Sequence, residues 1–313
     1  MKKQVRTSFL TAIIVGIIGL SFLAAGCGSD IFSKGLAGDS PGNQSEQPGE
    51  TPSPSPPIEQ PSEPAKDPES PGEKPNPPAN TPDYSTEVSN KKLSWYFIAN
   101  SEHQTPGIPD SAKFITKYGG MYVGDPSGQT IYLTFDCGYE NGYTPPILDA
   151  LKANGVKAAF FVTKSYIDRN PELVRRMVAE GHQVCSHTAT HPSLPDVSDA
   201  RIENELTSTA DAFRDVTGQE MSRHMRPPSG EYSQRTVRLT QQYGYATVFW
   251  SMAYRDWEVD NQQGAEFAYN YVMKYIHPGA VILLHAVSSS NAEAMDRILK
   301  GLQEQGYQFS LLP

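Results

Sequence analysis

Asp136, His187, His191, Arg226, Asp256 and His285 carry the chemistry available to this 313-residue chain. Asp136 ends the run Ile131-Tyr132-Leu133-Thr134-Phe135, whose alternation has the period of two of a β-strand. His187 and His191 follow a short apolar run at 183–186, and Arg226 ends a second at 224–226. Asp256 comes a short loop after the run 246–250, and His285 closes Val281-Ile282-Leu283-Leu284. Alone, Asp136 reads as a carboxylate capping the turn at Gly138. Repetition of the placement at five strand ends makes a shared site the better reading, because parallel α/β barrels gather active-site groups at the C-terminal ends of their strands.

The types at these positions narrow the chemistry. His187-Thr188-Ala189-Thr190-His191 sets two imidazoles four residues apart. On a helical turn that spacing aims both at one metal ion. Thr188 stands where the zinc-protease signature requires Glu, so that signature is absent. His103, His182, His224 and His277 lack a partner at ligand spacing and read as structural. Arg226-Pro227-Pro228-Ser229-Gly230 is a rigid corner after a strand. A buried arginine there needs a carboxylate, and Asp136 is the candidate. Trp257, next to Asp256, could wall a sugar site. An apolar strand ending in His285 suits a general acid with a tuned pKa.

The elements that must position these groups follow from the spacing of apolar runs and breakers. Helices are predicted at 144–155, 170–181, 198–217, 233–244, 265–276 and 291–305, alternating with strands at 131–136, 158–163, 183–186, 224–226, 246–250, 280–284 and 308–311. Such alternation means parallel strands joined by crossover helices. The expected fold is α/β: a distorted (β/α) barrel with about seven parallel strands, with an open doubly wound sheet as the alternative. About 180 residues are too few for the usual eight-unit barrel of about 250.

The chain is predicted in three parts: a signal at 1–26, a disordered linker at 27–90 and a folded domain at 91–313. A basic start, Met1-Lys2-Lys3, precedes an apolar run from Phe9 to Ala25. Leu23-Ala24-Ala25-Gly26-Cys27 resembles a bacterial lipoprotein cleavage box, which implies a lipid on Cys27 and an extracytoplasmic, membrane-anchored protein facing the cell wall. A plain cleaved signal and an uncleaved anchor are the alternatives. More than half of the 26 prolines fall between Pro41 and Pro82, and no aromatic residue occurs from Ser33 to Asp83. Such a segment cannot bury enough apolar surface to order itself. About two thirds of the net charge of -9 lies in 34–83, so the folded part is only mildly acidic. Nucleic acid is excluded as a partner on that balance. Three cysteines do not make a disulfide scaffold.

Five short motifs occur in order: Thr134-Phe135-Asp136-Cys137-Gly138, His187-Thr188-Ala189-Thr190-His191, Arg226-Pro227-Pro228-Ser229-Gly230, Arg255-Asp256-Trp257 and Leu283-Leu284-His285. Together they resemble the polysaccharide deacetylases with a NodB-type homology domain, metal-dependent enzymes that remove N- and O-acetyl groups from carbohydrates. The resemblance covers about residues 92–313. It is closer to the branch that deacetylates muramic acid on the route to muramic δ-lactam in spore cortex peptidoglycan. Tyr139-Glu140-Asn141-Gly142-Tyr143-Thr144 and Lys117-Tyr118-Gly119-Gly120-Met121-Tyr122 carry that likeness. It implies Asp136 as general base, His285 as general acid, Arg226 orienting Asp136, and Asp256 setting the pKa of His285. It implies His187 and His191 as ligands of a divalent metal, with Zn2+ foremost. Tyr139, Trp257, Pro228 and Leu283 would bind the sugar of a peptidoglycan glycan strand, and the enzyme would act as a monomer. Amide hydrolysis agrees with the bare residues, since it needs a polarised carbonyl, an activated water and a proton donor for nitrogen.

Three positions depart from the family pattern. Cys137 stands where a second Asp usually ligates the metal, Ser229 where an aromatic is frequent, and Ala253 where many members are acidic. Cys137 could ligate, stand by the metal as a free thiol, or pair with Cys185; a metal held mainly by the two histidines, with Cys137 free nearby, is the expectation. Competing functions are deacetylation of N-acetylglucosamine or chitooligosaccharides, and an inactive glycan-binding lipoprotein. If Cys27 is the anchor, a fatty-acid label fed to producing cells should mark the wild-type protein and not Cys27→Ala; an unlabelled wild type would end the lipoprotein reading.

Overall fold

The computed structural model describes residues 88–313; the leader, Cys27 and the linker up to residue 87 lie outside the described residues. Ordered contacts begin slightly before the expected start at 91. Ser89 O accepts a hydrogen bond from Arg235 N at 3.0 Å, and Asn90 Nδ2 donates to Pro195 O at 2.9 Å.

The main sheet contains β1 (Thr130–Cys137), β2 (Ala159–Val162), β3 (Gln183–Ser186), β4 (His224–Met225), β5 (Ala246–Thr247), β6 (Met252–Ala253), β7 (Val281–His285) and β8 (Gln308–Phe309). Seven strands run in the order β5-β4-β3-β2-β1-β7-β6, and β8 pairs with the start of β1 at Thr130 and Ile131. Every pairing in this sheet is parallel. The row curls into an incomplete barrel, as the alternation of elements predicts. The strand expected at 246–250 is instead split. Only Ala246–Thr247 forms β5 on one edge; the chain then crosses at 248–251 and enters β6 on the other edge. Val248 N still donates to Met225 O at 2.8 Å, while Ser251 N donates to Val281 O at 3.0 Å. The segment before β1 spans the same gap, with Met121 bridged to Val248 and Val123 to Ala280.

The crossover helices are α1 (Thr144–Ala153), α2 (Lys164–Arg169), α3 (Pro171–Ala179), α4 (Asp199–Thr217), α5 (Gln234–Gln242), α6 (Ala265–Tyr275) and α7 (Ser289–Glu304). Their ends follow side-chain chemistry. Ser198, Ser233 and Ser288 accept backbone N–H groups at the first turns of α4, α5 and α7, and Gly218 ends α4 in the left-handed region. Of these crossover helices only α2 is unforeseen; a single helical turn at Phe114–Lys117, before β1, was also not predicted. Thr163, taken as a strand end, caps α2 by accepting Tyr166 N at 3.1 Å.

Alternation along β1 sorts its side chains between two layers. Ile131, Leu133, Phe135 and Cys137 join the outer core beneath the helices, with Phe160, Ile147, Leu148 and Ile298. Cys185 belongs to the small inner cluster with Ala159, Phe161, Val248 and Val281. The two buried thiols are therefore free and in different layers, which removes the Cys137–Cys185 disulfide.

Candidate active site

One cavity of about 1030 Å³ opens at the C-terminal ends of the strands. Asp136, His187, His191, His285, Tyr139, Trp257 and Leu283 line it. Arg226 and Asp256 lie beneath it, fully buried, each under one of the groups it was expected to serve.

Asp136 and Arg226 form the floor. Arg226 Nη1 donates to Asp136 Oδ1 at 2.7 Å, Nη2 to Thr134 Oγ1 at 2.9 Å and Nε to Val248 O at 3.2 Å. The guanidinium also lies over the Phe161 ring at 4.0 Å. Burial alone would raise the Asp136 pKa, but Arg226 above all, with His187 and His285, holds it below the ordinary carboxylate range. Asp136 is thus a carboxylate at neutral pH.

The two imidazoles sit on a loop, not on the helical turn expected from their spacing. Thr188 and His191 have φ of 66° and 58°, which no helix accommodates. Their rings still meet edge to face, with centroids 4.8 Å apart. His187 Nδ1 lies 2.9 Å from Arg226 O. A carbonyl can only accept, so Nδ1 carries the hydrogen and Nε2 keeps its lone pair. Nε2 lies 3.6 Å from Asp136 Oδ2. Burial pushes the His187 pKa down to about 4 and lowers that of His191 too. Neutral imidazoles, one with its tautomer fixed by a backbone carbonyl, suit a divalent cation.

Cys137 does not line the cavity. Its side chain packs in the outer core, and burial raises its pKa well above the usual thiol value. The expectation of a thiol beside the imidazoles fails for the alternation described above: Asp136 faces inward, so its neighbour faces the helices. Among the described residues no set of three His, Cys, Asp or Glu is placed to hold a metal. The donors present fit a cation held by two imidazoles, with its other positions left to water or substrate. Pro228 is likewise buried, and Ser229 and Gly230 line the wall in its place.

His285 is built from the other side. Asp256 Oδ1 lies 2.7 Å from His285 Nδ1, and Asp256 Oδ2 accepts His285 N at 2.7 Å and Asn291 Nδ2 at 2.6 Å. Tyr254 Oη in turn donates to Asn291 Oδ1. Burial opposes charge on His285, but Asp256 outweighs it and raises the pKa. Nε2 remains free for the cavity, and the Trp257 ring lies 5.6 Å away by centroid.

Two contributors escaped the sequence reading. Glu205, fully buried on α4, accepts Ala189 N at 2.8 Å, Thr190 N at 2.7 Å, Thr190 Oγ1 at 2.7 Å and Arg201 Nε at 2.8 Å. It holds the histidine loop in its left-handed turns. In sequence it is one of several acidic residues on an amphipathic helix, with no mark to single it out. Trp95, Tyr96, Phe97 and Trp250 also line the cavity, the first three from an apolar run near the start of the folded domain that carries no charged or metal-binding side chain.

A curled parallel sheet with a carboxylate, two neutral imidazoles and a carboxylate-backed imidazole at its strand ends carries the side chains that the five motifs bring together. A family model for polysaccharide deacetylases matches residues 123–248. The chain is 42% identical over 223 residues to the peptidoglycan-N-acetylmuramic acid deacetylase PdaA of Bacillus subtilis, covering 71% of this chain and 85% of that protein. The solved structure of PdaA, a family 4 carbohydrate esterase, matches with a TM-score of 0.70 and 41% identity over 72% of this chain and 96% of that one. An uncharacterised 30.6 kDa protein of Geobacillus stearothermophilus is 48% identical over 229 residues, 73% of this chain and 86% of its own length. A chitooligosaccharide deacetylase of Bradyrhizobium sp. is 37% identical over 205 residues, 61% of this chain and 92% of its own length. The chain belongs to the polysaccharide deacetylase family and is a carbohydrate deacetylase.

Two measurements check the geometry. By NMR, His285 should titrate above the ordinary imidazole value of about 6.5, and Asp256→Asn should lower it. Because the folded pKa is raised, the stability from this pair is complete below the unfolded value and is lost as pH rises through the folded one. Glu205→Ala should lower unfolding free energy by about 2 kcal/mol, since it strands the buried Ala189 N–H and the part-buried N–H and hydroxyl of Thr190. Arg201→Ala, which removes the half-exposed partner, should cost less than about 1 kcal/mol. Equal effects in denaturant titrations would show that Glu205 does not hold the loop.

Proposed function

We propose that this deacetylase removes the N-acetyl group of muramic acid in peptidoglycan, on the route to muramic δ-lactam. The carrying observation is the pairing, across one cavity, of an ionised Asp136 with a protonatable His285. The choice of sugar is supported by the 42% identity to PdaA. A divalent cation, zinc by its preference for imidazole, would be held by His187 and His191 and would polarise the acetyl carbonyl. Asp136 accepts a proton from water as the water oxygen bonds to the carbonyl carbon. Arg226 keeps Asp136 charged and aimed. His285 then donates its Nε2 proton to the amide nitrogen as the carbon–nitrogen bond breaks, leaving acetate and a free amine. Asp256 keeps His285 protonated until that moment. Tyr139, Trp257 and Leu283 supply the sugar-facing wall. The lipid anchor at Cys27 would hold this site at the wall, and a role in sporulation would follow from the lactam.

A second reading, deacetylation of N-acetylglucosamine, is favoured by the 37% identity to a chitooligosaccharide deacetylase. An inert glycan-binding role is disfavoured, because binding would not require Asp136 and His285 each to have a dedicated buried partner.

Mass spectrometry of defined, peptide-free muropeptides after incubation separates these readings. Muramic acid should lose one acetyl group; loss from glucosamine alone would replace the first reading by the second. Asp136→Asn should lower kcat by about 10²–10⁴-fold without unfolding the chain, and a chelator should abolish turnover. With Asp136 held low and His285 held high, kcat/KM should form a plateau through neutral pH. It should fall on the acid side below the ordinary carboxylate range and on the alkaline side above the ordinary imidazole range.

A further inference from the structure

Among the described residues six large apolar side chains are exposed by more than a third: Tyr96, Ile98, Tyr139, Trp257, Val259 and Phe267. Scattered exposures of this kind need no explanation. Three of these, all aromatic, are not scattered: Tyr96, Tyr139 and Trp257 line the one catalytic cavity. Tyr139 and Trp257 follow strand ends and adjoin the reacting groups. Tyr96 comes from the arm before the barrel, outside the residues 123–248 that match the family model.

That arm is fastened on both sides of Tyr96. Leu93–Ser94 pairs antiparallel with Glu231–Tyr232. Trp95 N donates to Gly230 O at 2.8 Å, and its indole Nε1 donates to Trp250 O at 2.9 Å. The indole stacks on Phe249 at 4.5 Å between centroids. Ile98 N donates to Gly107 O at 2.8 Å. Trp95 is consequently 7% exposed, while Tyr96 beside it is 56% exposed. The backbone of Tyr96 is held, and only its ring is left without a protein surface to cover it.

We propose that Tyr96, on the arm outside the family-matched residues, is a specificity residue that stacks on a neighbouring N-acetylated pyranose of the same glycan strand. The proposal deepens the deacetylase reading and rests on it. The cavity, at about 1030 Å³, lies at the top of the ~300–1,000 Å³ range of small-molecule sites, more than one sugar ring requires. A pyranose chair presents an apolar C–H face that covers an aromatic ring, and the Tyr96 hydroxyl adds a hydrogen-bonding tip at little entropic cost.

The test is binding, read without turnover, in the full chain carrying Asp136→Asn. The probes are N-acetylmuramic acid as a monosaccharide and a peptide-free peptidoglycan tetrasaccharide, each titrated by NMR. Adding Tyr96→Ala should weaken the tetrasaccharide about tenfold and leave the monosaccharide unchanged, while Tyr96→Phe should retain most of the affinity. Equal losses for both probes, no loss for either, or a tetrasaccharide bound no better than the monosaccharide before Tyr96 is changed would each overturn the subsite. Deacetylation by the unmodified chain is read separately by mass spectrometry. A Tyr96-dependent tetrasaccharide that is never deacetylated would sink the activity and keep the subsite.

Discussion

A fully buried arginine in an incomplete barrel is the constraint on which the rest depends. Arg226 has no access to solvent, and an uncompensated buried charge costs roughly 3–5 kcal/mol. It is tolerated because every direction it faces is answered: Asp136, Thr134, the Val248 carbonyl and the Phe161 ring. Those partners come from β1, β2 and the crossing segment between β5 and β6. The ion pair therefore ties together the strands around the barrel and fixes the orientation of Asp136. Structure and chemistry are served by the same contact, and neither partner can be removed without stranding the other.

The remaining polar groups at the cavity repeat this arrangement. His285 rests on Asp256, which Asn291 and Tyr254 hold in turn. The histidine loop rests on Glu205, and His187 on the Arg226 carbonyl. Each group at the cavity has a buried support from a different element, and the supports act in opposite electrostatic senses. A cation beneath Asp136 favours its charged form; an anion beneath His285 favours its charged form as well. The cavity so holds an ionised carboxylate and a protonatable imidazole together at the same pH, the condition the proposed amide cleavage requires.

Much of this was legible in the sequence, for identifiable reasons. Asp136, Arg226 and His285 were visible because they interrupt apolar runs, and a charge at the end of a buried strand has few structural uses. The parallel order of strands followed from the helices between them. What could not be read was whatever depends on contacts remote in sequence. Glu205 looks like its solvated neighbours until α4 is packed against the histidine loop. The run 246–250 reads as one strand because its apolar pattern is continuous, although it leaves its edge of the sheet after Val248 to cross to the other. Cys137 was placed near the metal by family position, whereas the pleat of β1 sends it outward. Trp95–Phe97 carried only an apolar signal, which cannot tell a core cluster from a cleft wall.

The backbone shows why the two imidazoles come from a loop. Of the four non-glycine residues with left-handed φ among the described residues, Thr188, His191 and Ser229 lie in the second and third motifs. Such conformations cost of order 1–3 kcal/mol each and persist only where surroundings over-determine them. Here Glu205 does so for the first two, through the N–H groups of Ala189 and Thr190, and the Thr188 hydroxyl adds a bond from His191 N at 3.1 Å. At Ser229 the turn is closed by Gly230 N donating to Pro227 O at 3.1 Å and by Trp95 resting on Gly230. A helical turn would also set residues four apart on one face, but it would satisfy its own N–H groups and need no buried anchor. The loop instead makes the position of both imidazoles conditional on α4, and the third-motif corner conditional on the N-terminal arm. Cleft and fold are thereby coupled, because the strained turns that shape the one are held only by the packing of the other.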